Sequence, residues 1–193
     1  PLIDSFLNML VAERGATVNT VSAYLNDISH FKKYLIEYEI DTKIESCSKD
    51  SIANYIKYLS KNGLNPRTAT RRLSSLRQFF LFLQSENHRS DNPANNVDGP
   101  RQIKSLPKLL SEEEVAQLFE QANQIVGPEG IRLVCLLEIV YASGLRVSEL
   151  ISLPNTALSQ DQNILLVRGK GGKERLVPLT ISAIKSIHAY REV

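Results

Sequence analysis

The 193-residue chain has only two cysteines, Cys47 and Cys135, and they lie too far apart to read as a metal-ligand pair. That excludes a disulfide scaffold and a zinc module, and it fits a reducing, cytoplasmic setting. Cys135 sits in an apolar run and is expected to be a buried thiol. Cys47 precedes a helix start and is expected near the surface. No apolar run reaches the roughly 20 residues of a membrane span, and the first residues alternate charge and polarity, unlike a secretory leader. The histidines His30, His88 and His188 are isolated, so none has a partner at metal-site spacing. There is no Gly-x-Ser-x-Gly elbow and no carboxylate cluster of the magnesium-binding kind. Gly169-Lys170-Gly171-Gly172-Lys173 is not a nucleotide P-loop, because Glu174 follows Lys173 and position 167 is not glycine. No internal repeat or low-complexity tract appears.

The hydrophobic fraction of 42% and charged fraction of 23% are those of an ordinary globular protein. The net charge of +2 says little about partners. Its distribution says more. Between Ser51 and Ser85 there is no acidic residue, yet Lys57, Lys61, Arg67, Arg71, Arg72 and Arg77 fall there. The balancing acids Glu112, Glu113, Glu114, Glu120, Glu129 and Glu138 come later.

The first hundred residues predict helices with short breaks. Ile3, Phe6, Leu7, Leu10 and Val11 follow helical spacing until Gly15. Thr17 or Asn19 can cap the next helix, with its stripe of Val21, Tyr24, Leu25, Ile28, Phe31, Tyr34 and Leu35. Ser48 to Ser51 opens a third, with Ile52, Tyr55, Ile56 and Leu59 inward and Gly63 as a stop. Asn65 caps a fourth, where Pro66 at the first position sacrifices no hydrogen bond. Its apolar side is Ala69, Leu73, Leu76, Phe79, Phe80 and Leu83. From Arg89 to Leu109 the pattern breaks at Asn92-Pro93, Gly99-Pro100 and Leu106-Pro107, which predicts a linker from about residue 89. Arg101, Lys104 and Lys108 would suit a strap along a polyanion. The division expected is 1–104 and 105–193.

The second piece opens on Ser111 with Glu114 three residues on, a capping box. Ile131 to Tyr141 is nearly all apolar, so that helix is expected to be buried on most sides. Ile164 to Val167 and Leu176-Val177 flank the Gly-Lys turn and predict a β-hairpin. A last helix follows through Ile181, Ile184, Ile187 and Tyr190. The fold class expected is mainly α: a helical N-terminal domain, then an α-rich domain with a small β-hairpin.

Three groups could carry chemistry. On the fourth helix Arg67 and Arg71 share a face, with Arg72, Thr68 and Arg77 nearby. A helix with one apolar and one Arg-rich side suits phosphate contact or major-groove reading, and equally a solvated surface. Arg146 follows Gly144, which can adopt positive φ and end the apolar helix. Its guanidinium can fork onto phosphate oxygens or pair with Glu149, and the two readings can coexist. Lys170 and Lys173 flank a diglycine. An ammonium near other cations, here with Arg175 close by, holds its proton less tightly and suits a proton donor; an exposed turn is the bland alternative.

Tyr141-Ala142-Ser143-Gly144-Leu145-Arg146-Val147-Ser148-Glu149-Leu150 and Gly169-Lys170-Gly171-Gly172-Lys173-Glu174-Arg175-Leu176-Val177-Pro178-Leu179 resemble the Xer type of the tyrosine recombinase, or integrase, family. Thr17 to Tyr24 resembles part of that family's helical, SAM-like core-binding domain. Pro66 to Leu83 resembles its DNA-facing helix, and Leu109 to Val115 the start of its catalytic domain. The resemblance implies DNA cleavage and rejoining through a 3′-phosphotyrosyl link, without metal or cofactor. It implies that Arg146 is the first catalytic arginine, Lys170 the proton donor to the leaving 5′-oxygen, and Glu149 a supporting acid. Arg67, Thr68, Arg71, Arg72, Arg77, Lys173 and Arg175 are expected on the DNA.

The implied partners are double-stranded DNA with paired half-sites, a homo- or hetero-tetramer with a companion recombinase, and a DNA translocase. The two domains are expected to close on the duplex as a C-shaped clamp, in the service of chromosome or plasmid dimer resolution and segregation. The family's His-x-x-Arg-His segment and nucleophilic tyrosine are expected beyond Val193, since none of the seven tyrosines matches that place. The chain as it stands is therefore expected to bind DNA without cutting it. A phage or transposon integrase of the same family, a non-catalytic helical DNA-binding module, and a helical scaffold with no DNA role are the alternatives.

Overall fold

The computed structural model describes residues 1–39, 42–101, 109–158, 163–169 and 172–193. The chain divides into two compact units, Pro1–Ser105 and Leu106–Val193. In the first unit lie helices α1 (Leu2–Ala12), α2 (Val18–Tyr38), α3 (Lys49–Lys61) and α4 (Pro66–Ser85), with a 3-10 turn at Ile44–Ser46. The helix starts follow local chemistry. Thr17 caps α2, Ser48 caps α3 and Asn65 caps α4, each side-chain oxygen accepting a first-turn backbone N–H.

α4 carries the core of this unit. Leu73, Leu76, Phe79, Phe80 and Leu83 are buried against Phe6 of α1, Ile28, Phe31 and Leu35 of α2, and Ile52 and Tyr55 of α3. Phe6 meets Phe79 edge to face, ring centroids 5.5 Å apart, the arrangement the aromatic quadrupoles favour.

Two expectations need correction here. Cys47 is buried, not near the surface: the 3-10 turn before it points it inward. Arg89 then fastens that strand of chain by donating to the carbonyls of Glu45 at 2.7 Å and Cys47 at 3.1 Å. Nor is the segment from residue 89 a linker throughout. Ala94 and Val97 enter the core, and the Asn92 side chain donates to the Arg77 carbonyl at 3.0 Å. The proline-broken pattern marks irregular backbone, but two small apolar residues suffice to pack it down. Lys104 and Lys108 lie outside the described residues, and Arg101 is exposed.

In the second unit α5 (Glu112–Gln124) packs on α6 (Pro128–Ser143), and α6 packs on α8 (Ile181–Arg191). The capping box of Ser111 and Glu114 is formed. The antiparallel strands β1 (Ile164–Arg168) and β2 (Glu174–Pro178) pair Arg168 with Glu174 and Ile164 with Pro178. Period-2 alternation turns Leu165 and Val167 inward onto Cys135, Ile139, Leu145, Ala183 and Ile187, and leaves Leu166 and Arg168 outward.

α6 is not buried on most sides as its apolar sequence predicts. Cys135 and Ile139 are buried, while Leu133, Val140 and Tyr141 are open. The elements against it, chiefly α5, α8 and the short helix α7 (Val147–Ile151), cover part of its surface and leave the rest. Among the described residues no helix is long and apolar enough to cross a membrane.

Both thiols are buried, and burial pushes Cys47 up to about 12 and raises Cys135. Neither should react with a thiol reagent at neutral pH until denaturant is added. Rapid modification of the folded chain would contradict this packing.

Candidate functional site

At the end of α6, Gly144 adopts the left-handed conformation, φ 60°, and its N–H bonds the Val140 carbonyl. Leu145 then plugs the core. The next residue, Arg146, leaves it: its side chain is 70% exposed. α7 begins at once and returns Glu149 beneath it. Glu149 is buried, and four donor contacts saturate it. Oε1 accepts from Arg146 Nη1 at 2.9 Å and Arg175 Nη1 at 3.1 Å. Oε2 accepts from the Arg146 backbone N–H at 3.0 Å and Arg175 Nη2 at 2.9 Å. The Arg175 fork, chiefly, and the Arg146 backbone N–H hold this carboxyl down at about 2.

This cluster joins two elements far apart in sequence, because Arg175 belongs to β2. Gly169, at the end of β1, packs on the same pair. A methyl group placed there would lie 3.1 Å from Arg175 Nη1 and 3.4 Å from Glu149 Oε1, so a side chain at this position would crowd the ion pair by a few tenths of an ångström. The Gly169 N–H bonds the Lys173 carbonyl at 2.7 Å, which closes the turn. Lys170 lies outside the described residues; Gly169 before it is in contact with the Glu149 cluster. Lys173 is exposed. Arg175, expected on DNA, bonds Glu149 through both Nη atoms while its side chain stays 41% exposed. Sequence spacing could not show this, since 26 residues separate the partners.

On α4 the expected DNA-facing set divides. Arg67 is exposed and Thr68 half-buried. Arg71 keeps half its side chain in solvent while Nη1 bonds the carboxylate of Asp27, a buried residue of α2. Arg72 is more enclosed. Its side chain is only 16% exposed, with Nε 3.8 Å from Asp27 and Nη1 3.4 Å from the Tyr55 hydroxyl. Helical geometry places position 72 roughly 100° round from 71, toward α3. Arg77, half-buried, donates from Nε to the Ala94 carbonyl at 3.2 Å and from Nη2 to that of Val97 at 2.7 Å, which pins the segment after α4.

The Arg-rich side is also not free of carboxylates, because Asp27 arrives from another helix. Sequence reading missed Asp27, although an acid within the Tyr24-Ile28-Phe31 stripe was a usable signal. His30 is tied to the same group, its Nδ1 2.9 Å from the Tyr55 hydroxyl, and burial together with Arg72 lowers its pKa. Among the described residues no group of three or more His, Cys, Asp or Glu could hold a metal ion.

Residues 3–87 match the model of the phage integrase N-terminal SAM-like domain, and residues 108–193 match that of the phage integrase family. The chain belongs to the phage integrase family, the tyrosine recombinases. Among curated relatives it is 41% identical to tyrosine recombinase XerD of Caulobacter vibrioides, over 97% of this chain and 61% of that one. It is 40% identical to XerD of Rhizobium meliloti, over 98% of this chain and 62% of the relative. The chain thus spans about three fifths of the length of the relatives it matches. A lambda integrase tetramer bound to a Holliday junction shares the fold, with TM-score 0.78 at 20% identity over 100% of this chain and 56% of that one.

The depressed Glu149 carboxyl has a pH signature. Its ordinary value is 4.5 and its folded value about 2, so in between the unfolded chain binds the extra proton. The Glu149 contribution to stability is complete above 4.5 and is lost as pH falls toward 2. The stability difference between wild type and Glu149→Gln, followed by thermal unfolding, should shrink across that window. A difference that stays constant would contradict the clamp.

Proposed function

We propose that this chain forms the DNA-gripping part of a site-specific recombinase that cleaves and rejoins strands through a 3′-phosphotyrosyl intermediate. The observation that carries it is the Glu149 cluster. A saturated buried carboxylate fixes the base of Arg146 while most of that side chain faces solvent. A rigid, charged fork with open donors suits a phosphodiester whose negative charge grows in the transition state.

In this reading Arg146 binds the scissile phosphate. Lys170, next in sequence to Gly169, gives its proton to the leaving 5′-oxygen. Glu149 orients the arginine, and Lys173 lies along the backbone. The first unit is the core-binding domain, with Arg67, Thr68 and Arg71 toward the duplex; the second begins the catalytic domain.

The XerD-named relatives favour chromosome or plasmid dimer resolution over phage or transposon integration. That role entails a cytoplasmic protein on DNA with paired half-sites, in a homo- or hetero-tetramer with a companion recombinase, and a DNA translocase as activator. The likeness to lambda integrase, at 20% identity, speaks for fold alone.

Two measurements test the reading. The 193-residue chain should bind duplex DNA with strong salt dependence, and Arg67→Ala should weaken binding and lower the salt slope by about one. Salt-independent or absent binding would reject the DNA-facing assignment of α4. In the complete reading frame, Arg146→Ala should cut covalent trapping on a nicked duplex by about a hundredfold to a thousandfold. Trapping at the wild-type rate would remove Arg146 from the reaction.

A further inference from the structure

We infer that Asp27, inside α2, is a positioning residue for the DNA contact of α4, acting through Arg71. This rests on the DNA-binding reading above and adds to it a group that never touches the nucleic acid. Asp27 is 2% exposed, and a carboxylate so placed must be paired or neutral. Among the described residues its partners all come from α4. Oδ2 accepts from Arg71 Nη1 and from the Ser75 hydroxyl at 2.7 Å, while Arg72 Nε stands 3.8 Å from Oδ1. Two guanidiniums therefore share one negative charge, and the group as a whole stays positive.

Only one of the two can present that excess. Arg72 is enclosed, and its Nε is buried without a hydrogen-bond partner among the described residues. Arg71 is half exposed, and among the described residues only its Nη1 is engaged. Its Nε and Nη2 remain for an outside acceptor, one helical turn from the exposed Arg67. An arginine on a free surface must give up rotamer freedom to meet a phosphate. Here the carboxylate has already fixed the fork, so the contact forms with less loss.

The idea makes a prediction opposite in sign to simple electrostatics. Asp27→Asn raises the net charge by one and keeps the shape. If charge alone governed binding, affinity for duplex DNA should rise. If Asp27 positions Arg71, affinity falls, on the order of fivefold for one lost phosphate contact, and the salt slope drops by about one.

The experiment is fluorescence anisotropy of a short mixed-sequence duplex with wild type, Asp27→Asn, Arg71→Ala and the double variant, across a salt series. The expected result is that Asp27→Asn weakens binding in the wild-type background and changes nothing further beside Arg71→Ala. Unchanged or tighter binding by Asp27→Asn, or full additivity with Arg71→Ala, overturns the inference while leaving the DNA-binding reading intact. Wild-type chain that fails to bind the duplex sinks that reading and this one with it. Should Asp27→Asn not fold, Arg71→Lys decides. It keeps the charge but lacks the fork, so a loss like that of Arg71→Ala supports positioning, and wild-type affinity refutes it.

Discussion

The carboxylate of Glu149 is the contact that ties the hairpin of the second unit to the Arg146 turn. A buried carboxylate without partners is costly, and one with a single partner remains a liability. Glu149 escapes both because four donor contacts reach it, from the backbone and side chain of Arg146 and from both Nη atoms of Arg175. Those donors come from the start of α7 and from β2. A local turn and a distant hairpin are thereby tied at one atom group. Gly169 lies close against this pair, where an added methyl group would crowd it.

The first unit repeats the device at another place. Asp27 lies within a helix stripe otherwise apolar, and it collects Arg71, Arg72 and Ser75 from α4. In each unit a buried acid holds two arginines, one more exposed than the other. Arg146 and Arg71 are the outward members; Arg72 is the enclosed one, and Arg175 gives both Nη atoms to Glu149. Charge is thus held at the surface by a support that is itself buried. A fork held in this way does not need to be ordered again by its ligand.

Much of this was legible in the sequence. The helices of the first unit, their Thr17, Ser48 and Asn65 caps, the Ser111 capping box and the hairpin follow from periodicity and local hydrogen-bond chemistry. Arg146 and Glu149 were readable as a pair because they sit three residues apart. What could not be read was long-range. Arg77 looks like any other arginine of α4 until Ala94 and Val97 fold back to it. Arg175 looks like a free cation of a basic turn until Glu149 claims it. Cys47 looks exposed because the turn that hides it has no sequence period. The apolar run of α6 promised burial, but a run tells how much surface asks for cover, not how much cover arrives.

The most direct test of the account is amide hydrogen exchange in β1 and β2 for wild type, Glu149→Gln, Arg175→Gln and the double variant. If Glu149 ties the hairpin to the Arg146 turn through Arg175, each single change should lower hairpin protection by a similar factor, and the double change should lower it no further. Independent, additive losses, or hairpin protection untouched by Glu149→Gln, would show that the carboxylate does not hold these elements together.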